Sequence, residues 1–207
     1  MAARRAQEDW LVSLPGPPET IRDATHMRTT WLTASQATLR EWGLAARYEA
    51  ALASEHRDAV LSIVAGTWMP MVLVRAHYTA CDSLDLPEPD LLEIGAAATR
   101  RANATHLAFV VRLAQAAGVT PWTMLGQMQR VWSRTFDGGG AVGVLRRGPK
   151  EARVRIVGYP LAGLRYNRVT MRGIVGGFVE LFCEKLHVKE IPADCDARSL
   201  GMQFSWV

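Results

Sequence analysis

The chain has 207 residues, of which 49% are hydrophobic and 21% charged, and its formal net charge is +4 at pH 7. This is ordinary globular composition, and it excludes a disordered or fibrous chain. The basic residues are interleaved with acidic ones, so we expect no nucleic-acid binding, and no apolar stretch is long enough to predict a membrane span.

The first half of the chain predicts helices that follow an irregular lead. Residues 1–20 contain the run Pro15-Gly16-Pro17-Pro18, which cannot continue a helix. Residues 21–118 are rich in residues that favour helices, with breaks at Gly43 and Pro70. We therefore predict an irregular segment at residues 1–20 and a single α+β domain over residues 21–207.

Two of these predicted helices carry apolar stripes. On the helix that begins near Asp90, Phe109 and Leu113 lie four residues apart and share a face, with His106 beside it. On the next helix, residues 121–136, large apolar side chains recur at helical spacing. They are Trp122, Leu125 and Trp132. Such stripes suit the wall of a ligand pocket, and they suit a closed core equally well.

The second half predicts a small antiparallel sheet and one long helix. Residues 141–145 and 152–157 alternate as in a β-hairpin, and residues 187–191 and 202–206 read as two further strands. The helix that lies between the hairpin and these two strands, residues 166–186, contains three glycines. They are Gly173, Gly176 and Gly177. Because glycine disfavours helices, we predict that another backbone or a ligand approaches closely there, and we place these glycines in the same pocket.

Chemical motifs are sparse. Cys81, Cys183 and Cys195 form no C-x-x-C pair, and the first ten residues lack the apolar core of a secretory signal. We therefore expect a cytoplasmic protein. No catalytic triad, phosphate loop or four-ligand metal spacing is present, so we expect no enzyme activity, no catalytic residues and no metal site.

The order of the motifs in the second half resembles a known superfamily. A hairpin, the glycine-bearing residues 171–178, the strand at residues 188–191, Cys195 and the closing Phe204-Ser205-Trp206 follow one another. This order is similar to the superfamily that groups haem-NO-binding-like domains with four-vinyl-reductase ligand-binding domains. Within it, residues 131–138 and Gly158-Tyr159-Pro160 resemble a paralogous haem-NO-binding-like family restricted to myxobacteria.

That resemblance covers residues 51–207 and implies a haem-NO-binding-like α+β fold, with the helical half packed on the sheet and a ligand between them. His106 is the best candidate for a haem ligand. Two departures from the superfamily argue against a metal site of cysteines and against a haem. Met202 stands where members often carry a cysteine, and the Tyr-x-Ser-x-Arg cluster that holds haem propionates is missing. We therefore expect no cofactor.

Three functions follow. The leading hypothesis is a non-catalytic regulatory or sensory protein that binds a small hydrophobic molecule or a protein partner. The alternative is a structural or assembly protein that uses the fold as an interaction surface, as a homo-oligomer would. The third is a haem-based gas sensor.

Overall fold

The computed structural model describes residues 9–102 and 119–207. Two antiparallel sheets and a set of helices enclose the core in these ranges. The described helices are α1 (Thr30–Glu41), α2 (Ala45–Ala51), α3 (Ser54–Leu61), α4 (Met71–Asp82), α5 (Glu88–Ala102), α6 (Pro121–Leu125), α7 (Met128–Thr135) and α8 (Arg165–Glu180). The described strands are β1 (Trp10–Val12), β2 (His26–Arg28), β3 (Trp68–Pro70), β4 (Phe136–Asp137), β5 (Ala141–Gly148), β6 (Glu151–Val157), β7 (Leu186–Glu190) and β8 (Ser199–Trp206).

The larger sheet has five strands in the order β1-β5-β6-β8-β7, and all neighbouring pairs are antiparallel. The register pairs Val142 with Ile156 and Val154 with Met202, and all four side chains are buried. Alternate residues such as Arg153 lie on the opposite face and are only partly buried. The hairpin β5–β6 and the strands β7 and β8 confirm the alternation read from the sequence.

The smaller sheet has three strands in the order β3-β2-β4. Met27 in its centre pairs with Met69 on one side and Phe136 on the other, and all three are buried. The sequence analysis treats β2 and β3 as part of a helical region, and that reading is wrong. Strands of two or three residues are too short to show a period of two.

The irregular lead also contains a strand. Trp10 and Val12 pair with Leu145 and Val144 and complete the edge of the larger sheet. The interpretation of residues 10–12 as irregular is therefore wrong, whereas Pro17 and Pro18 do break regular structure and lead only into a short 3-10 helix.

Helices α5 and α8 cross at very close range. A Cβ atom on Gly173 would overlap the carbonyl oxygen of Leu92, and one on Gly95 would overlap that of Thr170. At the same crossing the Thr99 hydroxyl donates to the Ile174 carbonyl at 3.0 Å. The predicted close approach is thus made by a second helix backbone.

Helix boundaries differ from the sequence prediction in two places. Residues 121–136 form two helices that are separated at Gly126. The apolar side chains of this stretch therefore do not form one continuous stripe. Helix α8 ends at Glu180, earlier than predicted. Helices packed on antiparallel sheets nevertheless confirm the α+β class. None of the described helices combines the length and apolarity that a membrane crossing requires.

Candidate ligand site

A cavity of about 70 Å³ lies between α8, α7 and the inner faces of the two sheets. Its apolar lining comes from both halves of the chain. The apolar and aromatic residues are Met27, Trp31, Tyr78, Met124, Met128, Val131, Trp132, Phe136, Val142, Ile156, Met171, Ile174, Val175, Phe178 and Val179. The polar ones are Thr135, Asn167 and Thr170. An apolar wall with a few polar groups is typical of small-molecule sites.

Trp132 forms a rigid part of this wall. Its ring stacks on Phe136 with centroids 4.1 Å apart and meets Tyr159 edge-on at 5.4 Å. Its Nε1 donates to the Gly139 carbonyl at 3.1 Å. Gly140 has a φ of 73°, and a Cβ atom there would overlap the indole, so only glycine fits beneath the ring. Gly140 thus leaves the space that the Trp132 ring occupies.

The structure brings only part of the predicted site together. Trp132 lines the cavity, and Leu125 is fully buried in the core without lining it. Trp122 lies elsewhere, where its ring meets Trp206 edge-on at 4.8 Å and its Nε1 donates to the Pro149 carbonyl. The division of residues 121–136 into two helices explains why the two tryptophans point to different places.

The predicted glycines do not line the cavity either. Gly173 and Gly177 face α5, where Gly177 lies against Thr99, and Gly176 faces the side chains of Val188 and Leu186. Their placement in a ligand pocket stays a prediction, and neighbouring residues of α8 line this cavity. His106, Phe109 and Leu113 lie outside the described residues.

Several lining residues were not predicted. Met27, Met124 and Met171 contribute, and Asn167 and Thr170 supply the polar part from the first turns of α8. One sequence signal was available: Asn167, Thr170, Met171 and Ile174 follow the i, i+3, i+4, i+7 spacing of one helix face. Methionine is adaptable in shape and often fills irregular space beside binding sites.

A second buried feature is a chain of hydrogen bonds around His77. Its Nδ1 lies 2.6 Å from the Tyr48 hydroxyl, and its Nε2 lies 3.1 Å from the Ser35 hydroxyl. Gln36 donates to the Tyr48 oxygen, which favours the tautomer in which Tyr48 donates to Nδ1. In that tautomer His77 donates from Nε2 to Ser35, which lies 3.4 Å from the Tyr166 hydroxyl.

Burial keeps this chain uncharged. His77 is fully buried, and this burial lowers its pKa to about 3. Burial raises the pKa values of Tyr48 and Tyr166. Near neutral pH all three groups are therefore neutral, because a low-dielectric environment disfavours the charged form. Ser35 and Tyr166 also line a space of about 20 Å³ that shares Trp31 and Tyr78 with the main cavity.

The cysteines show no sign of activation. Burial raises the pKa of all three thiols, most strongly at Cys81, which is fully buried. Cys195 is half-buried and donates from Sγ to the Ile191 carbonyl. A raised pKa disfavours the thiolate, which is the reactive form.

The residues described around the cavity do not fit a haem. Ligand sites for larger molecules occupy about 300–1,000 Å³, and this cavity has about 70 Å³. No lysine or arginine lines it to hold propionates. His77 is buried, but Tyr48 and Ser35 occupy both of its ring nitrogens. Within the described ranges no three metal-ligating side chains come together.

No protein-family model matches the sequence, and no curated protein matches it. Solved structures do match in fold. An H-NOX structure determined to probe haem distortion aligns with a TM-score of 0.59 at 12% identity, over 86% of this chain and 94% of that one. A mutant H-NOX from T. tengcongensis gives 0.59 and 12%, over 87% and 97%.

A third structure is an oxygen-binding H-NOX domain related to soluble guanylate cyclases, solved as the oxygen complex. It aligns with a TM-score of 0.56 at 13% identity, over 87% of this chain and 95% of that one. The narrower resemblance to a myxobacterial family stays a prediction. Across nearly the whole length of these structures, the chain has the α+β fold of H-NOX domains.

Proposed function

We propose that this protein is a non-catalytic sensory or regulatory protein that binds a small, mainly apolar molecule in the cavity between α8, α7 and the sheets. The observation that carries the proposal is the lining: among the described residues, fifteen apolar or aromatic side chains surround a small space, and the polar groups are Thr135, Asn167, Thr170 and the hydroxyl of Tyr78. This is the pattern of sites that select by shape and by one or two hydrogen bonds.

A sensory role is supported by where the walls come from. Met27 belongs to the smaller sheet, Val142 and Ile156 to the larger one, and Tyr78 and Ile174 to α4 and α8. A molecule in the cavity touches every layer of the fold, so it favours the packing arrangement that fits it best. A protein partner would then recognise the resulting surface.

Native mass spectrometry of freshly purified protein tests this proposal. Wild-type protein should retain a small molecule. Ile174→Trp, which fills the cavity from α8, should lose it. Val72→Trp is the matched control, because Val72 lies on α4, is 58% exposed and does not line the cavity. An empty wild-type protein in a defined oligomer would contradict the proposal and favour the structural alternative.

The fold favours one second candidate, a haem-based gas sensor with His106 as the iron ligand, because the matched H-NOX structures include haem and oxygen-bound proteins. The same purified sample tests it. A Soret band that disappears in His106→Ala would support this candidate, and a colourless protein that takes up no added haem would reject it.

A further inference from the structure

Asn167 is the polar side chain that stands out in the cavity. It lies on α8, is 2% exposed and lines the apolar space. Its Oδ1 accepts a hydrogen bond from the Tyr159 hydroxyl. Its amide nitrogen Nδ2, which carries two protons, makes no hydrogen bond with any of the described residues. A donor left unpaired in an apolar wall is costly, so Nδ2 indicates a partner that none of the described residues supplies.

Tyr159 fixes the orientation of this amide. The Tyr159 ring is fully buried, and burial raises the pKa of its hydroxyl, which therefore keeps its proton and needs an acceptor. Oδ1 is that acceptor. Reversing the amide would leave both the phenol proton and Oδ1 unpaired, so the reversed orientation is the worse one. Nδ2 is therefore the atom available to a molecule in the cavity.

The other polar groups of the lining differ in whether they already donate a hydrogen bond within the protein. Thr135 donates to the Val131 carbonyl at 3.0 Å, and Thr170 donates to the Tyr166 carbonyl at 2.9 Å. Tyr78 resembles Asn167: it is 6% exposed, burial holds the pKa of its hydroxyl well above the usual range, and that hydroxyl has no partner among the residues described. Among the described residues, the lining thus contains two with a donor that is not otherwise paired, Asn167 and Tyr78, and no charged side chain.

We propose that the ligand is a small neutral molecule with one carbonyl oxygen, which accepts hydrogen bonds from Asn167 Nδ2 and the Tyr78 hydroxyl while its hydrocarbon part fills the apolar space. A carbonyl oxygen has two lone pairs for the two donors. A carboxylate or phosphate is disfavoured because none of the described residues that line the cavity is a cation. At roughly 10–15 Å³ per water position, the volume suits about five to seven heavy atoms. This inference rests on the proposed function.

Two probes of one shape test it. Cyclopentanone and methylenecyclopentane share a ring and differ only in C=O against C=CH₂. Wild-type protein should bind the ketone about three- to tenfold more tightly, as one or two net hydrogen bonds imply. Asn167→Leu should lose that preference and keep its affinity for the hydrocarbon, and Tyr78→Phe should reduce the preference. Thr33→Val is the control and should keep it, because Thr33 is not among the residues that line the cavity and its hydroxyl donates to the Thr30 carbonyl of its own helix.

The outcomes separate the two proposals. If neither probe binds to wild-type protein, the proposed function fails. If both bind equally, and Asn167→Leu changes nothing, the cavity is a binding site but the carbonyl inference is overturned. A water molecule held permanently by the two donors would give that same equal binding. If Asn167→Leu does not fold, the ¹⁵N side-chain resonance of Asn167 in the wild-type protein decides: it should shift with the ketone and not with the hydrocarbon.

Discussion

At the scale of single residues, the His77 chain is the most tightly specified polar feature of the core. Every member has a hydrogen-bond partner. The Tyr48 hydroxyl is bonded to Gln36 and to Nδ1 of His77, and the Ser35 hydroxyl is bonded to Nε2 of His77. Buried polar groups of this kind stabilise a fold only while all of them are paired. The chain ties α1, α2 and α4 together at the point where they approach the cavity.

The low pKa of His77 makes stability depend on pH in one direction. The folded value is about 3 and the unfolded value is 6.5, so between these values the unfolded chain binds the extra proton. The contribution of His77 to the free energy of unfolding should therefore be fully present above pH 6.5. It should be lost as the pH falls below that value, by up to about 1.4 kcal/mol per pH unit. Urea denaturation at several pH values across that window measures the slope.

His77→Gln isolates this contribution from that of the acidic residues. Glutamine retains an acceptor for Tyr48 and a donor for Ser35 but does not titrate. The variant should therefore show a shallower loss of stability with decreasing pH than wild-type protein, with at most about 1–2 kcal/mol lost near pH 7. His187→Gln, at an exposed position, should leave the slope unchanged. Parallel slopes in His77→Gln and wild type would contradict a neutral His77.

Residue by residue, the sequence predicts apolar walls better than polar partners. Trp132 is found because its neighbours share a helix face. The hydrogen bonds of Asn167 and His77 join residues that are far apart in the chain or on different helices, such as Tyr48 and His77. Helical periodicity carries no information on such pairs. The nearly helical spacing of Trp122 and Trp132 predicts that they share one helix face. The break at Gly126 places them in different environments instead.

At the scale of elements, the contact between α5 and α8 depends on two facing glycines. Gly95 and Gly173 let the two helix backbones meet, and the Thr99 hydroxyl bonds across the same contact. Helices normally lie 8–10 Å apart because their side chains separate them. This contact fixes the position of α8, and residues on the adjoining face of the helix, among them Asn167 and Ile174, line the cavity.

Gly173→Ala should therefore destabilise the protein, by about 1–3 kcal/mol or more, because the new methyl group would overlap the Leu92 carbonyl and force the helices apart. Gly176→Ala on the same helix is the matched control. Its methyl group would make ordinary contacts with Val188 and Leu186, and alanine favours the helix by up to about 1 kcal/mol. Chemical denaturation of both variants measures the difference. Equal effects would show that the crossing tolerates a side chain.

The elements that the sequence predicts well are those with enough residues to show a period. The hairpin β5–β6, the strands β7 and β8 and the glycine-bearing helix α8 are of this kind. The short strands β1, β2 and β3 form only because partners distant in sequence pair with them, as Met27 does with Phe136. Local propensity does not determine such strands, since their stability comes from packing with those partners.

At the scale of the whole molecule, one continuous core joins both sheets and the helices. Most of the buried apolar residues belong to one cluster, with Met27 and Phe136 from the smaller sheet and Phe204 from the larger one. Ile21, Ala141 and Val157 form a separate small cluster. The cavity lies inside this cluster, so its occupant is bound by the same contacts that hold the fold together. That arrangement links ligand binding to global stability.

The described part of the chain should therefore unfold in one cooperative step, as the predicted single domain requires. The seven tryptophans report on tertiary packing and far-UV circular dichroism reports on the backbone. In urea the two signals should change together, because neither sheet has a core of its own to retain. Cyclopentanone at a hundred times its dissociation constant should move both curves equally, by about 2.7 kcal/mol. Separate transitions, or a probe that moves only one of them, would mean that the cavity belongs to a subdomain that folds by itself.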